Sequence, residues 1–319
     1  MGNLTLTLAC MPWDHVLPLF KGRVSTQGLD IIVVALNRPA DIFWRMLRFE
    51  EFDASEMSLS SYLRAKEAGK PFIAIPVFTS RKFRHSFVFV NKESGIERPE
   101  DLAGKRMGVP EYQLTAALWI RGFLKDDYGL DPRQLNWFYE REERTPFSPP
   151  PGLSITKIPT GKSLEAMLVH REIDALITAL PSQEILSSDR VRRLFPDFKK
   201  VEMDYFNRTE IFPIMHTVIL RQDLYNRHPW VANRLMDAFD EAKRIYLEQR
   251  NLEALHSSLV WIEAYLHEEA CVFGKDPFPN GLAANQRAIE TLIRYSFEQG
   301  LIKEPLPVEK LFAPNTLGR

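Results

Sequence analysis

Three side chains of this sequence are suited to acid–base chemistry and lie where a predicted strand ends or bends: His216, Glu56 and His15. His216 lies in the segment 211–220 between two apolar runs, and Pro213 is typical of a strand that bends at a hinge. A lone histidine on an apolar strand is commonly a core residue, but a hinge strand lines the floor of a ligand crevice. We therefore predict that His216 is a proton donor.

Glu56 lies near the end of a predicted strand over residues 52–58, next to Ser58 and Ser60. An unpaired carboxylate is costly to bury. Glu56 is therefore expected either to pair with a buried arginine or to be held for proton chemistry with a raised pKa. Both interpretations stay open on the sequence alone. Ser58 and Ser60 are expected to face the same crevice and to bind substrate.

The corner after the first predicted strand, residues 4–10, carries Trp13, Asp14 and His15. Ligands of open α/β sheets bind outside the carboxyl ends of the strands, so this corner predicts site residues. We assign His15 to the chemistry and Trp13 to substrate binding. Asp14 is expected to cap the short helix that follows.

A cluster of cationic and imidazole side chains, Arg81, Arg84 and His85, lies within a few residues of the chain. Guanidinium groups match carboxylates in a bidentate geometry. The cluster therefore predicts a carboxylate anchor, to which we assign Arg81 and His85. Residues 79–90 are expected to form one long, partly alternating strand.

The stretch 98–128 predicts a short buried strand at residues 105–109, followed by a helix that starts near 112–115 and ends at Gly129. A strand that runs into a helix N-terminus presents unpaired N–H groups and a positive dipole end, which suits a carboxylate. Tyr112, Gln113 and Thr115 are expected to add side-chain hydrogen bonds there.

The size and charge of the chain limit the possible classes of protein. Its 319 residues favour one large domain or two lobes, and 41 basic against 42 acidic residues do not suggest a nucleic-acid-binding surface. No apolar run is long enough to span a bilayer, and the first residues lack the pattern of a signal peptide, so we expect a cytoplasmic enzyme or sensor. Cys10 and Cys271 do not suggest a disulfide framework, and no metal-ligand spacing or nucleotide fingerprint is present.

Several segments resemble known families. Residues 99–110, Pro-Glu-Asp-Leu-Ala-Gly-Lys-Arg-Met-Gly-Val-Pro, resemble the opening of the second lobe in proteins of the type 2 periplasmic-binding-protein fold. The continuation, residues 111–122, is similar to the 4,5-dihydroxyphthalate decarboxylase family. The further segments similar to that family are 56–62, 81–86, 211–216, 276–281 and 294–301.

The resemblance implies an α/β, two-lobed fold with a ligand crevice between lobes joined by two crossing strands. We expect lobe 1 to comprise residues 1–89 and 217–319 and lobe 2 to comprise residues 90–216. The chain is expected to be mostly helical after Pro229, with helices over residues 231–249, about 252–273 and 283–300. Thr178 resembles the cleft-facing residue that follows a strand in two-lobed binding proteins. The family also implies a homo-oligomer, whose interface the C-terminal helices can supply.

The function implied by the resemblance is non-oxidative decarboxylation of 4,5-dihydroxyphthalate to protocatechuate. His216 is expected to protonate the ring, and His15 or Glu56 to polarise the phenol, with these roles open to exchange. No cofactor is expected because the ring is its own electron sink, although Glu56, Asp14 and a histidine from different strands could converge on a metal. The alternative is a non-catalytic binding protein or sensor for an aromatic anion. Another substrate is also open, because menaquinone-pathway enzymes use this fold.

Overall fold

The structure, a computed structural model, describes residues 2–143 and 145–319. The strands are β1 (Leu4–Cys10), β2 (Leu29–Ala35), β3 (Ala54–Ser58), β4 (Phe72–Arg81), β5 (Val88–Asn91), β6 (Arg106–Val109), β7 (Asn136–Tyr139), β8 (Ser154–Lys157), β9 (Ala175–Ile177), β10 (Val191–Arg193) and β11 (Ile214–Arg221). The helices are α1 (Leu17–Phe20), α2 (Pro39–Phe49), α3 (Leu59–Glu67), α4 (Thr115–Tyr128), α5 (Leu164–Val169), α6 (Gln183–Ser187), α7 (Phe198–Thr209), α8 (Gln222–Arg227), α9 (Trp230–Ala254), α10 (Ile262–Phe273) and α11 (Gln286–Glu298).

The chain divides into two units. Unit one comprises the residues up to Arg81, together with Ile214–Gln286 and Leu306–Arg319, and unit two comprises Lys82–Pro213 and Arg287–Pro305. The chain therefore passes from one unit to the other after residues 81 and 213, earlier than the boundaries expected at residues 89 and 216. Residues 287–305, expected in the first lobe, belong to unit two instead.

The packing of α11 explains this difference. Gly122 of α4 has no side chain, and a Cβ there would lie 2.1 Å from the ring of Tyr295. The same tyrosine packs edge-on against Trp119, with ring centroids 5.6 Å apart. Helix α11 thus covers α4, a contact between residues far apart in the sequence that no local pattern indicates.

Unit one is built on a mixed sheet with the strand order β2-β1-β3-β11-β4. Strand β1 pairs in parallel with β2 and β3, whereas β11 runs antiparallel to β3 and β4. Apolar side chains of the sheet, such as Leu6 and Leu8, pack in one cluster with Leu235 and Phe239 of α9. Strands β4 and β11 are buried on both faces, which explains their near-continuous apolar runs, whereas the edge strand β2 is partly exposed.

An irregularity in this sheet coincides with His216. On β11, His216 lies opposite Ser58 of β3 and Ser80 of β4, and the pairing with β4 shifts register on both sides of His216. Bulges of this kind redirect a side chain relative to its neighbours. The hinge strand predicted around Pro213 therefore begins just after that proline, with its irregularity at the proposed proton donor.

Unit two has its own mixed sheet, with the order β10-β5-β9-β6-β7-β8. Strands β9, β6, β7 and β8 are parallel neighbours in that order, and β5 is antiparallel to β9 and β10. Its core joins Phe89, Leu164, Leu168, Ile173 and Leu176. The short strand and long helix predicted for residues 105–128 are present as β6 and α4.

Two element predictions were wrong. The strand expected over residues 79–90 is broken, because β4 ends at Arg81 and residues 85–87 form a 3₁₀ turn before β5. The helix expected over residues 252–273 is interrupted, since α9 continues to Ala254 and α10 starts only at Ile262. In the part of the chain that the structure describes, no helix has the length and apolar character needed to cross a membrane.

Candidate active site

A carboxylate–histidine pair lies at the centre of unit one. His216 Nδ1 lies 2.6 Å from Glu56 Oε1, and Glu56 is fully buried in β3. The same oxygen accepts a hydrogen bond of 3.0 Å from the indole N–H of Trp13. The other oxygen, Oε2, accepts from the Met11 N–H at 2.8 Å and from the Cys10 thiol at 3.3 Å. These donors hold the carboxylate in one orientation and so fix the imidazole.

The electrostatics of this pair favour an ionised Glu56. Burial by itself raises the pKa of Glu56, but the hydrogen bond and charge of His216, together with the Met11 and Trp13 N–H groups, outweigh it and lower the pKa below its usual value. The expectation of a raised pKa was therefore wrong, and the partner is a histidine rather than an arginine. Burial and the adjacent Glu56 charge raise the pKa of Cys10, so this thiol stays a hydrogen-bond donor.

A second carboxylate–histidine pair, Asp14 with His15, follows in the same segment. Asp14 Oδ1 accepts from the His15 backbone N–H at 2.8 Å and lies 3.1 Å from His15 Nδ1. Asp14 does not cap α1, whose N-cap is Val16 and has no side-chain cap. The aspartate turns back to the adjacent imidazole instead, so the predicted cap was wrong.

The His15 ring is enclosed by aromatic side chains. It stacks on Phe278 with centroids 5.2 Å apart and meets the edge of Tyr246 at 6.3 Å. Its Nε2 is buried and has no hydrogen-bond partner among the described residues. Burial by itself raises the pKa of Asp14, but the His15 and Tyr246 hydrogen bonds lower it overall. His15 thus keeps one ring nitrogen uncommitted.

The serines predicted with Glu56 lie beside the first pair. Ser58 ends β3 directly opposite His216, and its Oγ lies 3.3 Å from Ser60 Oγ. Ser58 is also the N-cap of α3, where it accepts from the Ser61 N–H. Hydroxyl groups and a helix N-terminus are therefore next to His216, an arrangement that suits an anion.

Arg81 binds within the protein. Its guanidinium donates to the carbonyl oxygen of Pro279 at 2.6 Å and to Asn285 Oδ1. Burial lowers the pKa of Arg81 to about 9, although the Asp276 charge opposes this. Both hydrogen-bond partners belong to the loop after α10, so Arg81 holds that loop to the end of β4. The predicted carboxylate anchor at Arg81 is thus occupied by backbone and amide oxygens.

His85 lies in unit two within an aromatic cluster. Its ring stacks on Phe123 at 4.0 Å and has Phe195 and Tyr205 at 5.4 and 5.3 Å. Neither ring nitrogen has a hydrogen-bond partner in the described residues. Burial, with help from the Arg208 charge, lowers the pKa of His85 to about 3. A neutral, enclosed imidazole does not match the cationic anchor predicted here.

The predicted carboxylate seat before α4 is occupied by a carboxylate of the protein itself. The Tyr112 N–H donates to Glu143 Oε1 at 2.5 Å, and the Gln113 N–H donates to both Glu143 oxygens at 3.3 Å. Thr115 is the buried first residue of α4. Thr178 follows β9, accepts from the Leu180 N–H, and lines a cavity of about 280 Å³ in unit two.

Sequence reasoning missed Cys10, Phe43, Tyr246, Phe278 and Glu143. Cys10 ends β1 next to the predicted corner, so its position was available from the pattern. Phe43 of α2 packs edge-on against His216, with ring centroids 4.9 Å apart, and the pattern of its helix does not indicate this contact. Among the described residues, no group of three or more His, Cys, Asp or Glu side chains is arranged to hold a metal ion.

Comparisons with known proteins agree with this fold. A family model described as "ABC transporter, phosphonate, periplasmic substrate-binding protein" matches residues 31–146. A 4,5-dihydroxyphthalate decarboxylase from Comamonas testosteroni is 36% identical over 99% of this chain and 98% of its own length. One from Pseudomonas putida is 38% identical over 65% of this chain and 83% of its own length. The structure is also similar to that of the periplasmic aliphatic sulphonate-binding protein SsuA from Escherichia coli, with a TM-score of 0.60 and 15% identity over the full length of both chains. This similarity confirms the predicted fold class.

Proposed function

The chain belongs to the 4,5-dihydroxyphthalate decarboxylase family, and from this premise we propose that it converts 4,5-dihydroxyphthalate to protocatechuate and carbon dioxide. The single observation that carries the mechanism is the buried Glu56–His216 pair, with 2.6 Å between Oε1 and Nδ1. A carboxylate that orients an imidazole and stabilises its cation is a general acid–base device.

The reaction replaces a carboxylate by a proton at one ring carbon. The phenol oxygen para to the departing carboxylate donates electron density to the ring, and the carbon that bears this carboxylate accepts a proton. The C–C bond then breaks, its electron pair restores the aromatic ring, and carbon dioxide leaves. One carboxylate and one proton are consumed, and one carbon dioxide and one C–H bond are formed.

His216 is the proton donor in this proposal. Glu56 engages Nδ1, so Nε2 is the nitrogen that carries the transferred proton, and solvent restores it after each turnover. The ionised Glu56 stabilises the imidazolium before transfer, whereas the Trp13 and Met11 N–H groups keep the carboxylate from rotating. A correctly placed general acid contributes roughly 10²–10⁴-fold to such a step.

His15 polarises the phenol. Glu56 is committed to His216, which leaves the Asp14–His15 pair as the acceptor for the phenol proton through the uncommitted Nε2. The proton returns to the oxygen when aromaticity is restored, so this step changes no net charge. Of the two assignments open at the sequence level, this one uses both carboxylate–histidine pairs.

Ser58 and Ser60 hold the retained carboxylate through hydroxyl groups and the N-terminus of α3. The departing carboxylate should be held weakly, because a strong grip stabilises the ground state. We therefore assign Arg81 and His85 to structural roles and expect neutral hydrogen-bond donors to dominate the substrate contacts.

The test is turnover in deuterium oxide with metal-stripped protein and a chelator present. We expect release of carbon dioxide and a protocatechuate that carries one deuterium at the vacated ring carbon, measured by mass spectrometry. Activity that returns only with a divalent metal would contradict the predicted cofactor independence. Tight binding of the substrate without product would favour the binding-protein alternative.

We also propose a homo-oligomer in the cytoplasm. Support for self-association comes from large exposed apolar side chains around the α9–α10 turn, an unusual concentration for a monomer surface. These residues are Leu252, Leu255, Leu259, Val260, Trp261 and Tyr265. Light scattering that gives the mass of one chain at micromolar concentration would contradict the oligomer, and cell fractionation tests the location.

A further inference from the structure

The segment 276–281, Asp-Pro-Phe-Pro-Asn-Gly, takes no part in the proposed reaction, yet it contacts one of the two histidines assigned to it. The segment follows α10, and its Phe278 ring stacks on the His15 imidazole, with centroids 5.2 Å apart and 6° between the ring planes. The Phe278 N–H donates to Asp276 Oδ1 at 2.8 Å, which closes a short turn. We call residues 276–281 the mount, because it presents an aromatic face to His15.

Two buried cations hold two successive carbonyl groups of the mount. Lys243 of α9 is 8% exposed, and its Nζ donates to the Phe278 carbonyl oxygen at 3.0 Å and to Asp276 Oδ2 at 2.7 Å. Arg81 donates to the next carbonyl oxygen, that of Pro279, at 2.6 Å. Hydrogen bonds from charged donors are stronger than neutral ones, and a buried cation is costly to leave without its partners. Helix α9 and strand β4 therefore fix the backbone that carries Phe278.

The other end of the mount is held by the same two elements. Asn280 Oδ1 accepts from the Phe78 N–H of β4 at 3.0 Å, and Asn280 Nδ2 donates to Asp240 Oδ1 of α9 at 2.8 Å. The Gly281 N–H donates to the carbonyl oxygen of Pro76 at 2.8 Å. A segment that is fixed at both ends and at two carbonyl groups between them keeps its aromatic ring in one place.

The His15 imidazole needs this support because its other contacts are weak. The Asp14 side chain, 3.1 Å from Nδ1, is 65% exposed, and an exposed ion pair contributes little to fixing a side chain. Tyr246 meets the imidazole only at its edge, with centroids 6.3 Å apart. An imidazole that turns out of the plane parallel to Phe278 loses the stacking contact and also moves Nδ1 away from Asp14.

We infer that Phe278 is a positioning residue for His15, because it keeps the imidazole in the plane in which Asp14 accepts a hydrogen bond from Nδ1–H. The hydrogen bond at one ring nitrogen sets which nitrogen carries the proton, so this contact leaves Nε2 unprotonated. The kinetic consequence rests on the proposed role of His15 as the phenol acceptor. If only one-tenth of the His15 rings keep this tautomer, kcat falls about tenfold, because only that fraction reacts.

The experiment is ¹⁵N NMR of the full chain labelled at histidine, at a pH where the imidazole is neutral. The His15 signals are identified by their absence from His15→Asn. The wild type and Phe278→Tyr, which keeps a stacking ring, should show one tautomer with the proton on Nδ1. Phe278→Leu should show a mixture with a large share of the proton on Nε2. A wild-type tautomer in a natively folded Phe278→Leu would overturn the inference.

The matched control for the lost ring is Phe49→Leu, at an exposed position on α2 of the same unit, and it should keep the wild-type tautomer. A further variant tests the mount without changing the ring. Lys243→Met releases the Phe278 carbonyl group and should change the tautomer in the same direction as Phe278→Leu. Arg244→Met, which removes the adjacent exposed cation, should not change it. A natively folded Lys243→Met with the wild-type tautomer would overturn the role of the mount.

Turnover separates positioning from a general loss of structure. Phe278→Leu should lower kcat about tenfold with KM nearly unchanged, and it should have no further effect in His15→Asn, since it acts through that imidazole. Losses that add in the double variant would overturn the inference, because Phe278 would then act elsewhere. An absence of turnover in the wild type would contradict the proposed reaction, and the tautomers would still decide this inference.

Discussion

Two buried clusters, one around Glu56 in unit one and one around His85 and Arg121 in unit two, treat their polar groups in opposite ways. In unit one, Glu56 accepts hydrogen bonds from Cys10, Met11 and Trp13, and its fourth partner is His216. In unit two, both ring nitrogens of His85 and two guanidinium nitrogens of Arg121 have no hydrogen-bond partner within the described ranges. The Glu56 carboxylate is fully hydrogen-bonded, whereas the His85 and Arg121 side chains have buried nitrogen atoms without a hydrogen-bond partner among the described residues.

This difference separates two kinds of work. Catalysis benefits from groups that are fixed before the substrate arrives, because no reorganisation is then needed at the moment of reaction. Binding that rearranges a site needs groups whose native partners are easily exchanged. Glu56 is held by a strand and has a lowered pKa, whereas Glu143 is held by a loop and has a raised one. The chemistry is therefore expected in unit one and the adaptable contacts in unit two.

The largest expected effect comes from removing the imidazole of the complete pair. His216→Asn should lower kcat about 10³-fold with little change in the Kd of an unreactive analogue, because the general acid is lost while the binding groups remain. Glu56→Gln should lower kcat about 10²-fold, since a neutral amide no longer stabilises the imidazolium. Single-turnover kinetics measure both effects.

The matched control for these variants is His256→Asn, an exposed histidine of the same unit. It should turn over substrate like the wild type. Wild-type kcat in His216→Asn would remove His216 from the mechanism and leave the Asp14–His15 pair to donate the proton.

The second effect is on the free energy of unfolding and concerns His85 of unit two. Burial lowers the pKa of His85 to about 3, whereas an unfolded histidine has a pKa of about 6.5. Between these values the unfolded chain binds more protons, so the free energy of unfolding falls as the pH falls below about 6.5. His85→Phe removes this loss and should stabilise the protein at pH 5 by about 2 kcal/mol relative to wild type.

Denaturant unfolding at pH 5 and pH 7.5 measures this difference, and His170→Phe, at an exposed position in the same unit, is the control. The gain should be specific to pH 5, because a phenylalanine fits the same aromatic cluster at either pH. An equal gain in the free energy of unfolding at both pH values would mean that His85→Phe stabilises the protein by better packing and not by removing a titrating group.

How far the sequence predicts this molecule depends on the range of the interactions. The α/β class, β6 with α4, and the corner at Trp13 and His15 follow local patterns and resemblance, and all are present. The pairing of Glu56 with His216 joins residues 160 positions apart, so strand pairing between β3 and β11 decides it. The roles expected for Arg81 and His85 did not match their surroundings, because the loop after α10 and the aromatic cluster that enclose them leave no local signal.

The N–H groups before α4 also show how far local patterns predict the structure. Its N–H groups were predicted correctly as a place for a carboxylate, but the carboxylate that occupies it belongs to Glu143. Backbone geometry follows from the local strand-to-helix pattern. Which anion fills the seat depends on how a distant loop folds back, and charge-rich, proline-rich loops have no periodicity from which to predict this.

The smallest expected effect comes from Asp14→Asn, which tests whether the Asp14–His15 pair contributes as much to kcat as the Glu56–His216 pair. The Asp14 side chain is 65% exposed, and its Oδ1 lies 3.1 Å from His15 Nδ1, so water screens the interaction. Asp14→Asn should therefore lower kcat only about tenfold, compared with about 10²-fold for Glu56→Gln. Single-turnover kinetics of both variants with the same substrate measure this difference. If Asp14→Asn instead costs as much as Glu56→Gln, exposure does not set the strength of these pairs, and the proton acceptor at the phenol would be as tightly organised as the donor at the ring carbon.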